Sequence, residues 1–341
     1  MTAMADKNGL TSPSERRAAH LLVSLPALNE ARTIGEVIAG IPLEIPGVSK
    51  IEVLVINDGS TDSTASVAAE AGAHVIQHDQ CRGVGAAFRT ALDYATERGF
   101  DLIVTLDADG QFDPADIPTL VAPVLAGEAD LSTVSRFKDK TLTPAMPWAK
   151  RWGNRKMSQL ISRLAGRKLY DVSCGMRCYS QRAMLSLNLM GAFTYTQEVI
   201  LNLSFKGFKI VEVPIPVRGE RAYGESRIAN DLWRYAFRTS SIIFRAYRDY
   251  NPMRFFARIA LLLFAPAVAL EVFFLRHYLL TGTFHPHKWA GFTGAGLAVL
   301  SVMMLYMGMI GDMLTRHRIY LEELLYEQRR RKSDRRESEP R

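Results

Sequence analysis

Apolar and polar positions alternate in a regular order over the first third of the chain. Short apolar runs at 20–25, 51–56, 74–77 and 102–106, rich in Val, Ile and Leu, predict strands. Between them, helical periodicity covers about 30–39, 63–71 and 83–98. Such β-α-β-α-β-α-β alternation predicts a mostly parallel sheet with helices on both faces. Beyond Asp130 the pattern loosens. A basic helix is expected from Lys150 to Leu164 and a strand from Ile210 to Val213, followed by Pro214 and Pro216. The stretch 217–227 is polar, basic and contains glycine, which suits a functional loop.

The last third changes character. From Ile228 to Arg248 one helical face carries Ile228, Leu232, Tyr235, Ile242 and Ile243, and the opposite face carries Arg234, Arg238, Arg245 and Arg248. That division suits a helix lying in a membrane interface. Residues 259–275 are apolar apart from Glu271, and 289–310 form an uncharged run. A hydrocarbon core about 30 Å thick needs ~20 such residues, so two transmembrane helices are expected. Arg245, Arg248, Arg254 and Arg258 precede the first; Arg316, Arg318, Arg329, Arg330, Arg331 and Lys332 follow the second. Only Arg276 and Lys288 lie between them, histidines aside. Positive residues stay on the cytoplasmic side, which predicts a hairpin with the N-terminal α/β domain and both termini cytoplasmic. Glu271 is expected to pair with a neighbour or reach an interface.

Composition then narrows the class. The 341 residues are 48% hydrophobic and 23% charged, with a net charge of +7. Such a chain builds a core rather than staying disordered. Its basic excess gathers at the membrane boundary, which argues against nucleic acid as a partner and for membrane lipids. Residues 1–19 are polar and lack the apolar core of a signal peptide, so a disordered tail is expected there. Three cysteines, Cys81, Cys174 and Cys178, are too few for a disulfide framework. Cys174 and Cys178 lack a second Cys/His pair and are expected to be buried structural thiols.

The chemistry centres on Asp107-Ala108-Asp109, which follows the 102–106 strand. Ligands of open α/β sheets bind beyond the carboxyl ends of strands. Two close carboxylates repel unless a cation lies between them, and Mg²⁺ or Mn²⁺ shares such oxygen ligands with phosphates. An isolated Asp-x-Asp is most often a solvated turn, but here three further stretches surround it. Pro26-Ala27-Leu28-Asn29-Glu30 leaves the first strand, Asp58-Gly59-Ser60-Thr61-Asp62 leaves the second, and Gly83-Val84-Gly85 opens a helix. All lie where backbone N–H groups and carboxylates can hold a nucleotide. No glycine cluster follows the first strand, which disfavours NAD or FAD.

In these motifs, their order and their spacing the chain resembles the family 2 glycosyltransferases of the GT-A fold. The closer resemblance is to the polyprenyl-phosphate branch that includes dolichol-phosphate mannose synthases. It is carried by Asp109-Gly110-Gln111, Ser135-Arg136, Asp171-Val-Ser-Cys-Gly-Met-Arg177, Gln197-Glu198, Val211-Glu-Val-Pro214 and Arg221-Ala-Tyr-Gly-Glu-Ser226-Arg227, and it covers about residues 20–320. The resemblance implies an α/β GT-A (Rossmann-like, nucleotide-sugar-binding) catalytic domain over 20–227. An amphipathic interfacial helix would follow over 228–252, a transmembrane hairpin over 253–312 and a basic cytoplasmic tail over 313–341. It also implies that Pro26, Ala27, Asn29, Glu30, Asp58, Asp107 and Ala108 bind the nucleotide. Asp107, Asp109 and Gln111 would hold Mg²⁺ or Mn²⁺. Arg136, Arg151, Arg221, Ser226 and Arg227 would gather the acceptor phosphate, and Asp107, Asp109, Glu198 and Arg136 would carry catalysis. Arginine forks do suit phosphate oxygens.

The reaction so implied moves one sugar, with inversion, from a UDP- or GDP-linked donor to a polyprenyl phosphate such as undecaprenyl or dolichyl phosphate. Val84 and Arg227 stand where many relatives have lysine, and Cys174 and Met176 depart from the usual Thr-Ser-Gly-Phe-Arg. These changes leave the sugar and the base open. Trp148-Ala-Lys-Arg151-Trp152 mimics the Gln-x-x-Arg-Trp of polysaccharide synthases but lacks the glutamine, and two spans make a poor polymer channel. Two alternatives stay open. One is transfer to a lipid hydroxyl, with Glu198 or Asp171 as general base; the other is a non-catalytic, membrane-tethered nucleotide-sugar binder. The sequence also leaves open whether the protein is a homo-oligomer.

Overall fold

The computed structural model describes residues 18–189, 195–218, 241, 244, 245 and 247–337. The chain divides into two compact units, Met1–Ile242 with Leu325–Arg341, and Ile243–Leu324.

The first unit is built on a seven-stranded sheet. Its strands are β1 (Ala19–Ala27), β2 (Val48–Asn57), β3 (His74–Gln77), β4 (Leu102–Thr105), β5 (Leu131–Ser135), β6 (Arg177–Ser180) and β7 (Ile210–Pro214), in the order β3-β2-β1-β4-β6-β5-β7. Only β6 runs against its neighbours, pairing antiparallel with β4 and β5. The helices are α1 (Ile34–Ala39), α2 (Thr64–Glu70), α3 (Val84–Arg98), α4 (Ile117–Leu125), α5 (Trp148–Ala165), α6 (Gln181–Ser186) and α7 (Thr196–Phe205). The alternation expected over the first 106 residues is therefore present. The helix expected from residue 30 starts only at Ile34, because Asn29 takes a left-handed conformation with φ +56°.

Central strands are buried on both faces. Leu21, Val23, Leu25, Val55 and Val104 join Leu120 and Val121 of α4 in one cluster, while Leu22, Leu54, Ile56 and Ile103 are equally buried. Each such side chain is worth ~1.5–3 kcal/mol. β3 and β7 lie where strands were expected, but β5 and β6 had no apolar signature. In β5, Leu-Ser-Thr-Val-Ser, every residue is buried. Two of its three hydroxyls turn to backbone carbonyls instead of water: Ser132 donates to Leu120 and Thr133 to Val134.

The C-terminal stretch of the last helix belongs to this unit. Arg329 Nη1 donates to the carbonyls of Leu185 and Leu187 at 3.1 and 3.0 Å, closing the C-terminal end of α6. Gln181 reaches the buried Ser333 at 3.4 Å, and Lys332 pairs with Glu97 at 3.3 Å.

The second unit holds α8 (Pro252–Thr281) and the body of α9 (Lys288–Glu337). Both are long and apolar enough to cross a membrane, with mean hydropathies of 2.1 and 1.8. The 30 residues of α8 span about 45 Å at 1.5 Å per residue. Small residues line the seam between the two helices. Ala260 and Ala267 are buried, and Ser301 Oγ donates to the Ala260 carbonyl at 2.9 Å. A Cβ at Gly294 would lie 2.7 Å from Glu271 Oε1, and one at Gly308 would lie 3.2 Å from Met253 Sδ. Gly294, Ser301 and Gly308 repeat every seventh position, as do Met253, Ala260 and Ala267, the period that keeps one seam facing a partner helix. Leu261, Leu262, Val302 and Met303 point outward and are exposed, a surface that lipid rather than water would cover. The expected spans 259–275 and 289–310 lie inside these helices, but α9 continues as helix to Glu337. Most of the interfacial helix expected over 228–252 lies outside the described residues.

Candidate functional site

Three turns meet beyond the carboxyl ends of β1, β2 and β4. After β1, the Asn29 N–H donates to Ser60 Oγ at 2.9 Å, and Asn29 Oδ1 accepts from the Thr61 N–H at 2.8 Å. The Glu30 N–H donates to Thr64 Oγ1 at 2.9 Å. Thr33 Oγ1 donates to the Ala108 carbonyl at 2.6 Å, tying the β1 turn to the Asp-x-Asp. Pro26, Ala27, Asn29, Glu30, Asp58, Asp107, Ala108, Asp109 and Gln111 thus belong to one hydrogen-bonded edge of the sheet.

Asp58 is a hub of this edge. Its Oδ1 accepts from His78 Nδ1 at 2.7 Å and from the Arg82 N–H at 3.0 Å. Its Oδ2 accepts from the Gly83 N–H at 2.8 Å and from Cys81 Sγ at 3.3 Å. Burial opposes ionisation, but these four donors outweigh it and hold the carboxyl below its ordinary value. His78 is itself buried, with Nε2 3.0 Å from Thr90 Oγ1. Gly59, at φ +78°, lets the two loops touch backbone to backbone: a Cβ there would lie 2.8 Å from the Cys81 nitrogen. A cavity of 390 Å³ lined by Gln77, His78, Asp79, Gln80 and Arg82 opens beside this hub. The hub role of His78 had no sequence signal beyond a polar residue after a short strand.

Asp109 is buried, and its Oδ1 accepts from the Gln111 N–H at 3.1 Å. Asp107 is partly exposed at the strand end. Among the described residues no group of three or more His, Cys, Asp or Glu side chains could hold a metal by itself. One or two carboxylates completed by substrate phosphate oxygens are, however, what Mg²⁺-type ions accept, and Asp107 and Asp109 fit that donor set.

A chain of buried charges flanks the pair. Arg136, just past β5, grips Asp171 with its Nε at 2.6 Å and its Nη2 at 3.0 Å, and its N–H reaches the same carboxylate at 3.2 Å. Ser173 adds a backbone donor at 3.2 Å. Burial alone would lower the Arg136 pKa; the bonds and charge of Asp171, with a smaller contribution from Asp107, raise it instead. Asp171 is in turn held through its own N–H by Glu212 Oε1 at 2.7 Å. Burial pushes Glu212 up despite the N–H groups of Asp171 and Tyr170. Arg177 is fully buried and spans from the Val172 carbonyl to that of Thr196, at 3.1 and 2.7 Å. It thereby joins the 171–175 loop to the start of α7, where Gln197 donates to Ser173 Oγ at 3.2 Å and Glu198 occupies the first turn. Sequence motifs included Arg177 and Glu212 but gave neither a role.

Not every expected residue joins this cluster. Arg151 lies exposed in the first turn of α5. Arg221, Ser226 and Arg227 lie outside the described residues. Cys174 and Cys178 are buried free thiols, and burial pushes the Cys174 thiol up to about 12. That leaves them packing roles.

The glycosyl transferase family 2 model matches residues 23–186. An uncharacterized glycosyltransferase of Mycobacterium tuberculosis is 32% identical over 211 residues, covering 62% of this chain and 90% of the relative. Polyprenol monophosphomannose synthase of Mycolicibacterium smegmatis is 29% identical over 226 residues, covering 63% and 83%. The UDP-N-acetylglucosamine–dolichyl-phosphate N-acetylglucosaminyltransferase of Methanococcus voltae is 29% identical over 211 residues, covering 56% and 82%. Among solved structures, glucosyl-3-phosphoglycerate synthase of Mycobacterium tuberculosis, in complex with Mn²⁺, UDP and its product, superposes with a TM-score of 0.55 at 23% identity. That match covers 72% of this chain and 86% of the synthase and shows the shared GT-A fold. With strand-end turns, Asp-x-Asp and sheet order all in agreement, the chain belongs to glycosyl transferase family 2.

Proposed function

We propose that the protein transfers a single sugar from a nucleotide sugar to a polyprenyl phosphate at a membrane, with inversion. The observation that carries this reading is the pairing of a carboxylate edge, Asp107 and Asp109, with the Arg136–Asp171–Glu212 chain in a unit followed by two apolar helices. The β1 and β2 turns would hold the nucleoside, with the cavity beside His78 and Arg82 taking the base. Asp107 and Asp109, with Gln111 beside them, would hold Mg²⁺ or Mn²⁺; the ion would offset the charge on the departing nucleoside diphosphate. Arg136, set by Asp171, would present positive charge to the acceptor, with Arg151, Arg221, Ser226 and Arg227 as further phosphate donors. A phosphate monoester is anionic near neutral pH, so it needs placing rather than deprotonation. Glu198, at the start of α7, would then position rather than abstract.

Two relatives act, by their names, on polyprenol or dolichyl phosphate, which supports this acceptor class. For the hydroxyl-acceptor reading, Asp171 is disfavoured as base because both its oxygens are engaged by Arg136 and Ser173, which leaves Glu198. A general base needs a free lone pair within reach of the substrate proton. The arginine asymmetry supports a cytoplasmic catalytic unit with both termini on the same side. A tag in the 281–287 loop should then be reached only from the opposite face.

The test is a panel of UDP- and GDP-linked sugars incubated with membranes holding the protein and undecaprenyl phosphate, followed by mass analysis of the lipid. A lipid heavier by one sugar phosphodiester is expected. Sugar appearing only on a lipid hydroxyl would replace the phosphate-acceptor reading, and no transfer from any donor would favour a binder.

A further inference from the structure

The outward face of α5 carries tryptophans where a helix on a soluble domain carries polar residues. Trp148 is 80% exposed and Trp152 58%. Arg155, Lys156 and Arg163 are exposed on the same helix. Positions three and four apart share a helical face, so these five residues form one stripe. Lys156 Nζ lies 5.8 Å from the centre of the Trp152 ring. The opposite face is fixed. Ile161 is fully buried, Ser158 Oγ donates to the Tyr170 carbonyl at 3.0 Å and Ser162 Oγ to the Leu169 carbonyl at 3.1 Å. Turning α5 to hide its indoles would break these bonds.

Charge around this face has one sign. From Lys140 to Tyr170 the chain carries eight Lys and Arg residues and no Asp or Glu. Indole rings collect at the boundary between water and hydrocarbon, where the ring is sheltered and its N–H stays wet. Anionic lipids draw basic segments to the same boundary. We propose that the outward face of α5 docks on the head groups of an anionic bilayer, with Trp148 and Trp152 seated at the interface and Arg155, Lys156 and Arg163 on lipid phosphates.

Single-stranded nucleic acid also takes rings and cations together. Lipid is favoured because the same chain holds two helices long and apolar enough to cross a membrane. A bilayer held by those helices is at hand at a high effective concentration, whereas a nucleic acid has to be captured from solution. Since α5 belongs to the first unit, its docking is a second attachment, made by the α/β domain itself. This attachment does not depend on the reaction proposed above and is measured without donor or acceptor.

The experiment uses the full chain in nanodiscs, with Trp233→Phe and Trp289→Phe so that Trp148 and Trp152 are its remaining tryptophans. Their emission is compared in phosphatidylcholine discs and in discs that also hold phosphatidylglycerol, with and without bromine on the upper acyl chain. A helix seated in the interface lies about 5–10 Å deep, within reach of that bromine, so in anionic discs emission should shift to the blue and bromine should remove about half of it or more. Arg155→Glu combined with Lys156→Glu and Arg163→Glu should restore most of the emission; Arg151 is kept, because the proposed reaction uses it. Absence of bromine quenching in anionic discs, equal quenching in phosphatidylcholine alone, or unchanged quenching in the folded triple variant overturns the proposal. A blue shift produced only by an added RNA oligonucleotide overturns it too, and assigns the face to nucleic acid. Should the triple variant fail to fold, the contrast between the two lipid compositions decides alone.

Discussion

The carboxylate of Asp107 occupies the space that a side chain on residue 175 would need: a Cβ on Gly175 would stand 2.5 Å from Asp107 Oδ2. The loop between Asp171 and β6 is thus fitted to the Asp-x-Asp by the absence of a single carbon. Gly175→Ala should push Asp107 out of line. Overpacking of this kind costs ~1–3 kcal/mol, so the fold should survive while turnover drops at least about tenfold. Thermal unfolding and sugar transfer measured on one preparation would separate the two. A normal rate would show that the Asp107 rotamer does not matter to catalysis.

Asp109→Asn should nearly abolish transfer and leave the melting temperature close to wild type, since it removes a charged ligand without changing shape. Treatment with EDTA should stop the wild-type enzyme, and Mg²⁺ or Mn²⁺ should restore it. Full activity after exhaustive chelation would rule out the metal role given to this pair.

Asp171→Ala should be strongly destabilising, by about 3–5 kcal/mol, because it strands the mostly buried guanidinium of Arg136. Removing both partners should cost less than the sum of the single losses, with a coupling of roughly 1–3 kcal/mol. Urea unfolding of the two single variants and the double variant reads this directly. Additive losses would mean that the short contact contributes nothing to folding.

Alkylation at pH 8 should modify Cys81, which is exposed, and spare Cys174 and Cys178. Nucleotide should slow that reaction, because Cys81 Sγ lies on the Asp58 carboxylate. Burial raises the Cys174 thiol from 9.0 to about 12, so folding favours its neutral form. Its stabilisation is complete below pH 9.0 and is lost as pH rises towards about 12. Peptide mass analysis before and after alkaline exposure would follow both effects; early labelling of Cys174 would contradict its placement.

Replacing Arg221 or Arg227 with Ala should raise the KM for polyprenyl phosphate or cut turnover about tenfold to a hundredfold, for a charge-assisted bond of ~1.5–3 kcal/mol. Nucleotide-sugar binding should change little. Glu198→Gln should act through positioning, leaving a partial rate. Loss of all transfer in Glu198→Gln with normal arginine variants would bring back the hydroxyl acceptor.

What the sequence disclosed follows from where water is excluded. The runs at Leu21–Leu25, Leu54–Ile56 and Leu102–Val104 are apolar because helices cover both faces of the sheet, so their strands and the turns after them were legible. β5 and β6 were not. Ser132, Thr133 and Arg177 are buried polar groups that donate to backbone carbonyls, and such partners leave no trace in a one-dimensional pattern. The site divides in the same way. The acidic turn announces itself by composition, whereas the bonds from His78 to Asp58 and from Arg136 to Asp171 join positions 20 and 35 residues apart. Only the folded chain shows them.

The seam between α8 and α9 has a consequence for traffic across the bilayer. Gly294 meets Glu271 too closely for even a methyl group, and Ser301 spends its hydroxyl on the Ala260 carbonyl. Helices zipped this tightly leave no wet corridor between them for a hydrated sugar. Under the proposed reaction the glycosylated lipid would remain in the leaflet where it was made. Carrying its polar head to the other side would then be the work of a separate translocator, and the hairpin would serve as a mooring.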